Sequence, residues 1–179
     1  MNELLSKLTG DQALEVLERL ASGDARLAHK IETEAKRVLE TVDVDDVAEL
    51  VFFELDAIDV QDCWDRAGSD RDGYTSPDEA AQELIEEELQ PHLDQAQRYH
   101  DLGMLEQERD TCAGVVLGLY RYEKESKSEF RNWSEDLPLN AAESLLSEWQ
   151  ERNPDPDAHK IVDAFIRKRC PDWAKMLMG

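Results

Sequence analysis

Helix-start signals recur along this chain so often that they leave little room for any other kind of secondary structure. Thr9-Gly10-Asp11-Gln12, Ser76-Pro77-Asp78-Glu79 and Asn140-Ala141-Ala142-Glu143 each have the spacing of a capping box. In that motif a hydroxyl or amide oxygen accepts from an orphan backbone amide and the fourth residue reaches back to the cap. Asp155-Pro156 adds a cap followed by proline in the first turn. Behind these starts the apolar residues fall at three- and four-residue spacing, as in Leu27, Ile31, Ala35 and Val38, or Ile161, Val162, Phe165 and Ile166. No stretch alternates convincingly, so the chain reads as all-α, with about seven helices in antiparallel hairpins.

Those hairpins could stack as a helical-repeat, tetratricopeptide-like superhelix or close as an irregular bundle. Tyr99-x-x-x-Gly103-x-Leu105 echoes the joint of such a repeat, but Glu108 stands where the repeat wants alanine, and no period of about 34 residues recurs. Helices are expected over 11–21 and 24–41 as one hairpin. "DVDDVAELVFFELDAI" follows, with Val47, Val51, Leu55 and Ile58 on one stripe and Leu50, Phe53 and Ala57 on another, so it reads as a central helix buried on two sides, continuing into "DVQDCWDRAG". A long pattern from 77 to about 100 contains Pro91, which predicts a kink or break near Gln90. Gly103 stops it, and the next helix, 104–123, carries Gly114 and Gly118 four apart, a pattern that suits close helix packing. The polar run "EKESKSEFRNWSEDLPL" suggests a division into 1–125, a linker at 126–139 and a C-terminal hairpin at 140–179, within what reads as one structural domain overall; Phe130 and Trp133 would pin the linker to the body.

Charge excludes some partners. The chain has 20 Lys+Arg against 42 Asp+Glu, a net of −22, yet at 41% hydrophobic it is too apolar for a disordered acidic tail. Residues 40–90 hold 18 acids and two bases, Arg66 and Arg71, whereas Lys160, Arg167, Lys168, Arg169 and Lys175 make the C-terminal stretch basic. Such a field repels nucleic acid and anionic membranes and attracts basic protein surfaces, including a basic patch on the chain's own second copy as a homodimer. The basic end could also dock on the acidic middle of the same chain. The same acidity would equally serve solubility in a salty cytoplasm. No apolar run spans a membrane and no signal peptide is evident, which predicts a soluble, cytoplasmic protein. Cys63, Cys112 and Cys170 lie far apart, as buried free thiols would.

Only "GSDRDGYTSPDE" approaches a recognisable site. Set against a calcium loop, Asp70, Asp72, Gly73 and Glu79 fall in register, but the first ligand position is Gly68. The capping box at Ser76 claims Glu79 instead and leaves "DRDGY" as a turn. A weak divalent-cation site at Asp70, Asp72 and Glu79 is the alternative. His29, His92, His100 and His159 form no metal or catalytic motif, and there is no phosphate loop or nucleophile elbow, so neither an enzyme nor a cofactor is expected; carboxylate chemistry would need acids to converge. Among the aromatic residues, core packing accounts for most; Trp64, Tyr74 and Trp133 are the candidates for an interaction groove.

The stretches "DVQDCWDRAGSDRDGYTSPDEAAQELIEEELQPHLDQAQRYHDLG" and "CAGVVLGLYRYEKESKSEFRNW" carry Trp64-Asp65-Arg66, Gly73-Tyr74 and Gly118-Leu119-Tyr120-Arg121. In these, roughly residues 45–150 resemble helical regions of prokaryotic proteins that carry a SWIM-type zinc finger. The finger's Cys-x-Cys and Cys-x-His are absent, so its zinc and its binding activity do not carry over. The resemblance implies a helical companion or scaffold, in line with a non-catalytic acidic interaction module.

Overall fold

Thr9 Oγ1 accepts from the Gln12 amide at 3.3 Å, and Gln12 Oε1 accepts from the Thr9 amide at 3.0 Å. This closes the first capping box, at the start of α1 (Gly10–Gly23), in a computed structural model that describes residues 7–39, 41–69 and 74–178. Asp24 then accepts from the Arg26 amide at 2.8 Å and starts α2 (Ala25–Leu39), which packs against α1. These two helices belong to one compact unit, Met1–Thr41; a second unit runs Val42–Gly179.

In the second unit α3 (Val44–Asp56) is capped by Asp43 and α4 (Val60–Arg66) by Asp59, so the pattern read as one continuing helix is interrupted at 57–59. Gly68–Ser69 (β1) pairs antiparallel with Tyr74–Thr75 (β2). Ser76 Oγ accepts from the Glu79 amide at 3.2 Å and Glu79 accepts from the Ser76 amide at 2.8 Å, so the second capping box opens α5 (Pro77–Asp101). After Gly103, whose φ of +68° suits glycine, comes α6 (Leu105–Glu125). A single 3-10 turn (Phe130–Trp133), α7 (Leu137–Arg152), α8 (Pro156–Arg169) and α9 (Ala174–Leu177) complete the unit. The fold is all-α, and among the described residues no helix is long and apolar enough to cross a membrane.

Four expectations change. α7 starts at Leu137 behind Asp136, so Asn140 lies inside the helix and opens no capping box. α5 runs through Pro91 without a break. Leu84, Ile85 and Leu89 before the proline and Ala96 and Tyr99 after it are all buried, and at about 1.5–3 kcal/mol for each large apolar side chain their packing outweighs the ~3 kcal/mol a helix-interior proline costs. α3 is not buried on two sides: Ala48, Val51 and Leu55 are buried, but Leu50 and Phe53 are more than half exposed. The central helix is α6, buried continuously from Thr111 to Leu119 and in contact with α3, α5, α7 and α8. The segment 126–139 lies inside the second unit, with Phe130 fully buried in its core.

The basic end of α8 meets the acidic start of α3, where Arg169 forms a bidentate pair with Asp45 and holds its carboxyl below the ordinary value, chiefly through that hydrogen bond. The three cysteines are free and buried. Burial, with Glu108 adding to it, pushes the Cys112 thiol up from 9.0 to about 12. An unfolded chain releases that proton near pH 9 while the folded one keeps it. Stability contributed by the neutral thiol is therefore complete below pH 9 and falls, at about 1.4 kcal/mol per pH unit, as pH rises toward 12. Urea midpoints at pH 8 and pH 10.5 should show this fall, and Cys112→Ala should make it shallower; an unchanged slope in the variant would contradict the assignment.

Candidate functional site

Trp64 and Trp133 are 69 positions apart, and the fold brings them together. α4 ends beside the 3-10 turn because Ile58 and Cys63 on one side and Phe130 on the other enter the same core. The two indoles then meet edge to face, with centroids 4.8 Å apart and planes at 79°. Trp64 stays 44% exposed and Trp133 42%, whereas Trp149 and Trp173 are buried. That contrast matters, because a large aromatic surface left half in water suits contact with a partner. Tyr74, the third residue singled out, stands on β2 and is 68% exposed.

Both indoles lie in acidic stretches of the sequence. Asp59, Asp62 and Asp65 flank Trp64, and Glu129, Glu135 and Asp136 flank Trp133; all six are exposed. Beyond Trp133 the loop into α7 borders a cavity of about 370 Å³ lined by Glu123, Glu135, Asp136 and Asp172 together with Lys124, Arg131, Trp173 and Met176. Four acids face two bases there. Glu123 accepts from the Trp173 indole at 2.8 Å and pairs with Lys124 at 2.7 Å, and Lys124 also reaches Asp172 at 3.3 Å. Arg131 donates to the Glu123 carbonyl at 2.7 Å. These bonds hold the cavity wall, and Asp136, at the start of α7, makes no side-chain cap.

The other sequence candidates resolve differently. Asp70 and Asp72 lie outside the described residues. Glu79 is engaged in the Ser76 cap, whose backbone hydrogen bond holds its carboxyl below the ordinary value. Among the described residues no group of three or more His, Cys, Asp or Glu side chains is placed to hold a metal ion. His92 contacts Glu54 on α3.

Glu108 is the residue that sequence reading placed least well. It is fully buried near the start of α6, where the helix dipole favours an acid. Its carboxylate meets His100 Nδ1 at 2.9 Å, Asn153 Nδ2 at 3.1 Å and Arg152 at 3.4 Å. His159 contacts the Asn153 carbonyl in turn. With its partners drawn from the ends of α5 and α7, and closed off by α8, this network joins four helices and has the character of a structural tie. A second concavity, between α5 and α7, has Ile85, Leu89, Val115 and Leu145 among its apolar residues and Glu86 and Glu148 among its polar ones.

Compared with protein-family models, with curated proteins and with solved structures, the chain matches none.

Proposed function

We propose that this chain is a non-catalytic interaction module that captures a lysine- or arginine-rich segment of a partner protein against Trp64 and Trp133. The observation that carries this reading is the half-exposed indole pair, each indole lying in a stretch of sequence that holds three exposed carboxylates. Tryptophan is a favoured interface anchor, and its ring attracts the cationic head groups that the surrounding acids would gather from solution. The net charge of −22 supplies long-range steering toward a basic partner. His92, His100 and His159 are each engaged in contacts that tie elements together. The alternative, a divalent-cation role for Asp70 and Asp72, would share Glu79 with the helix cap. The resemblance to helical companions of SWIM-type fingers points the same way, toward a scaffold.

Calorimetric titration of the full chain with a short Arg/Lys-rich peptide tests this directly. Binding should weaken as salt rises, and the Trp64→Ala, Trp133→Ala double variant should lose about 30-fold in affinity, the scale of a hot-spot anchor. Equal binding of a neutral peptide, or unchanged affinity in a variant whose near-ultraviolet circular dichroism shows the core intact, would contradict the proposal.

A further inference from the structure

α1 and α2 carry more apolar surface than one hairpin can cover. On a helical wheel Ala13, Leu14, Val16, Leu17, Leu20 and Ala21 span about 160° of α1, and Leu27, Ala28, Ile31, Ala35, Val38 and Leu39 span about 120° of α2. None of the described residues of either helix is buried. Leu14, Val16, Leu17, Leu20, Leu27 and Val38 are between 38% and 79% exposed. Helices of 14 and 15 residues are marginal by themselves, and a piece of about 40 residues needs a disulfide, a metal or oligomerisation to hold its shape. All three cysteines lie outside this hairpin, so a disulfide within it is ruled out. More helices must cover the stripe.

Charge identifies which helices. Between residues 7 and 39 the bases Lys7, Arg19, Arg26, Lys30, Lys36 and Arg37 equal in number the acids Asp11, Glu15, Glu18, Asp24, Glu32 and Glu34, six less six, a net of zero in a chain of −22. A basic partner gains nothing from a neutral surface, whereas two copies of this chain can approach here without the repulsion that separates them elsewhere. The two helices are also complementary. α1 has Arg19 against Asp11, Glu15 and Glu18, a net of −2; α2 has Arg26, Lys30, Lys36 and Arg37 against Glu32 and Glu34, a net of +2.

We infer that the α1–α2 hairpin pairs with the same hairpin of a second copy as a four-helix bundle, α1 of each beside α2 of the other, making the protein a homodimer. The acidic second units repel across such a dimer, so added salt should tighten it, opposite in sign to the effect on a basic peptide. Each dimer then presents two Trp64–Trp133 surfaces, which a partner with two basic segments would engage with avidity.

Sedimentation equilibrium of the full chain decides the matter. The expected mass is twice 20.5 kDa at micromolar concentration. The Leu14→Glu, Leu17→Glu, Leu20→Glu variant should sediment as a monomer, its dissociation constant raised at least about a hundredfold by three charges placed at apolar contacts. Loss of the second unit's fold would be visible separately, because all four tryptophans, Trp64, Trp133, Trp149 and Trp173, lie in that unit; their near-ultraviolet signal should be unchanged. A monomeric wild type overturns the inference, and hydrogen exchange that finds its hairpin amides protected would assign the stripe to the chain's own second unit. A variant that remains dimeric overturns it also, placing the interface elsewhere.

Discussion

Glu108→Ala should lower the unfolding free energy by about 3–5 kcal/mol, the range for removing one partner from a buried ion pair. The fully buried carboxylate is the common acceptor for His100, Asn153 and Arg152, so its loss leaves three donors at the ends of two helices, α5 and α7, without their shared partner. His100 and Arg152 each keep about 29% of their side-chain surface in water, which places the expectation near the lower end of that range. The Glu108→Leu, Arg152→Met double variant should recover most of the loss, because an apolar pair of similar volume removes the unmatched charge along with its partner. Urea unfolding followed by tryptophan fluorescence measures both. A loss below about 1 kcal/mol in the alanine variant would mean that water already shares the site and that the network ties nothing together.

Gly118→Ala should also destabilise the protein, by about 2 kcal/mol. Inside a helix this change ordinarily gains about 1 kcal/mol, so the sign depends on the neighbour. A Cβ at Gly118 would stand 2.6 Å from Val51 Cβ and 2.8 Å from the Ala48 carbonyl oxygen, and one at Gly114 would stand 2.6 Å from Val47 Cβ. Backbone and Cβ atoms cannot swing aside, so α3 must lift off α6, and overpacking of this kind costs about 1–3 kcal/mol, at the upper end when backbone is involved. Thermal unfolding of Gly114→Ala and Gly118→Ala should show lowered midpoints; a raised midpoint in either would mean that α3 and α6 are not in this contact.

These two sites mark where sequence reading reached and where it stopped. The glycine spacing and the caps at Thr9, Ser76 and Asp155 were legible because each is local: Ser76 and Glu79 need only one another and a turn of backbone, whereas the box read at Asn140 is overridden by a helix that already starts at Leu137. Long-range burial was not. α3 carries two apolar stripes, yet α6 covers the one through Val51 and leaves Leu50 and Phe53 in water, a choice made by tertiary packing. α6 opens with "LEQERD", whose polarity conceals that Glu108 is buried among partners from α5 and α7. At the candidate site, Trp64 and Trp133 could be picked out, with Tyr74, as the aromatic residues to line a groove. Their contact, and the cavity bordered by Glu135 and Asp136, depend on residues many positions away and had no local signal.

The most direct measurement is a proton–nitrogen correlation spectrum of the indole groups during titration with an Arg/Lys-rich peptide. Four tryptophans give four indole N–H signals, two from the exposed Trp64 and Trp133 and two from the buried Trp149 and Trp173. If the indole pair is the binding surface, the Trp64 and Trp133 signals move together and saturate at one dissociation constant while the other two hold still. Motion of the buried pair instead, or four signals that stay in place at saturating peptide, would contradict the account.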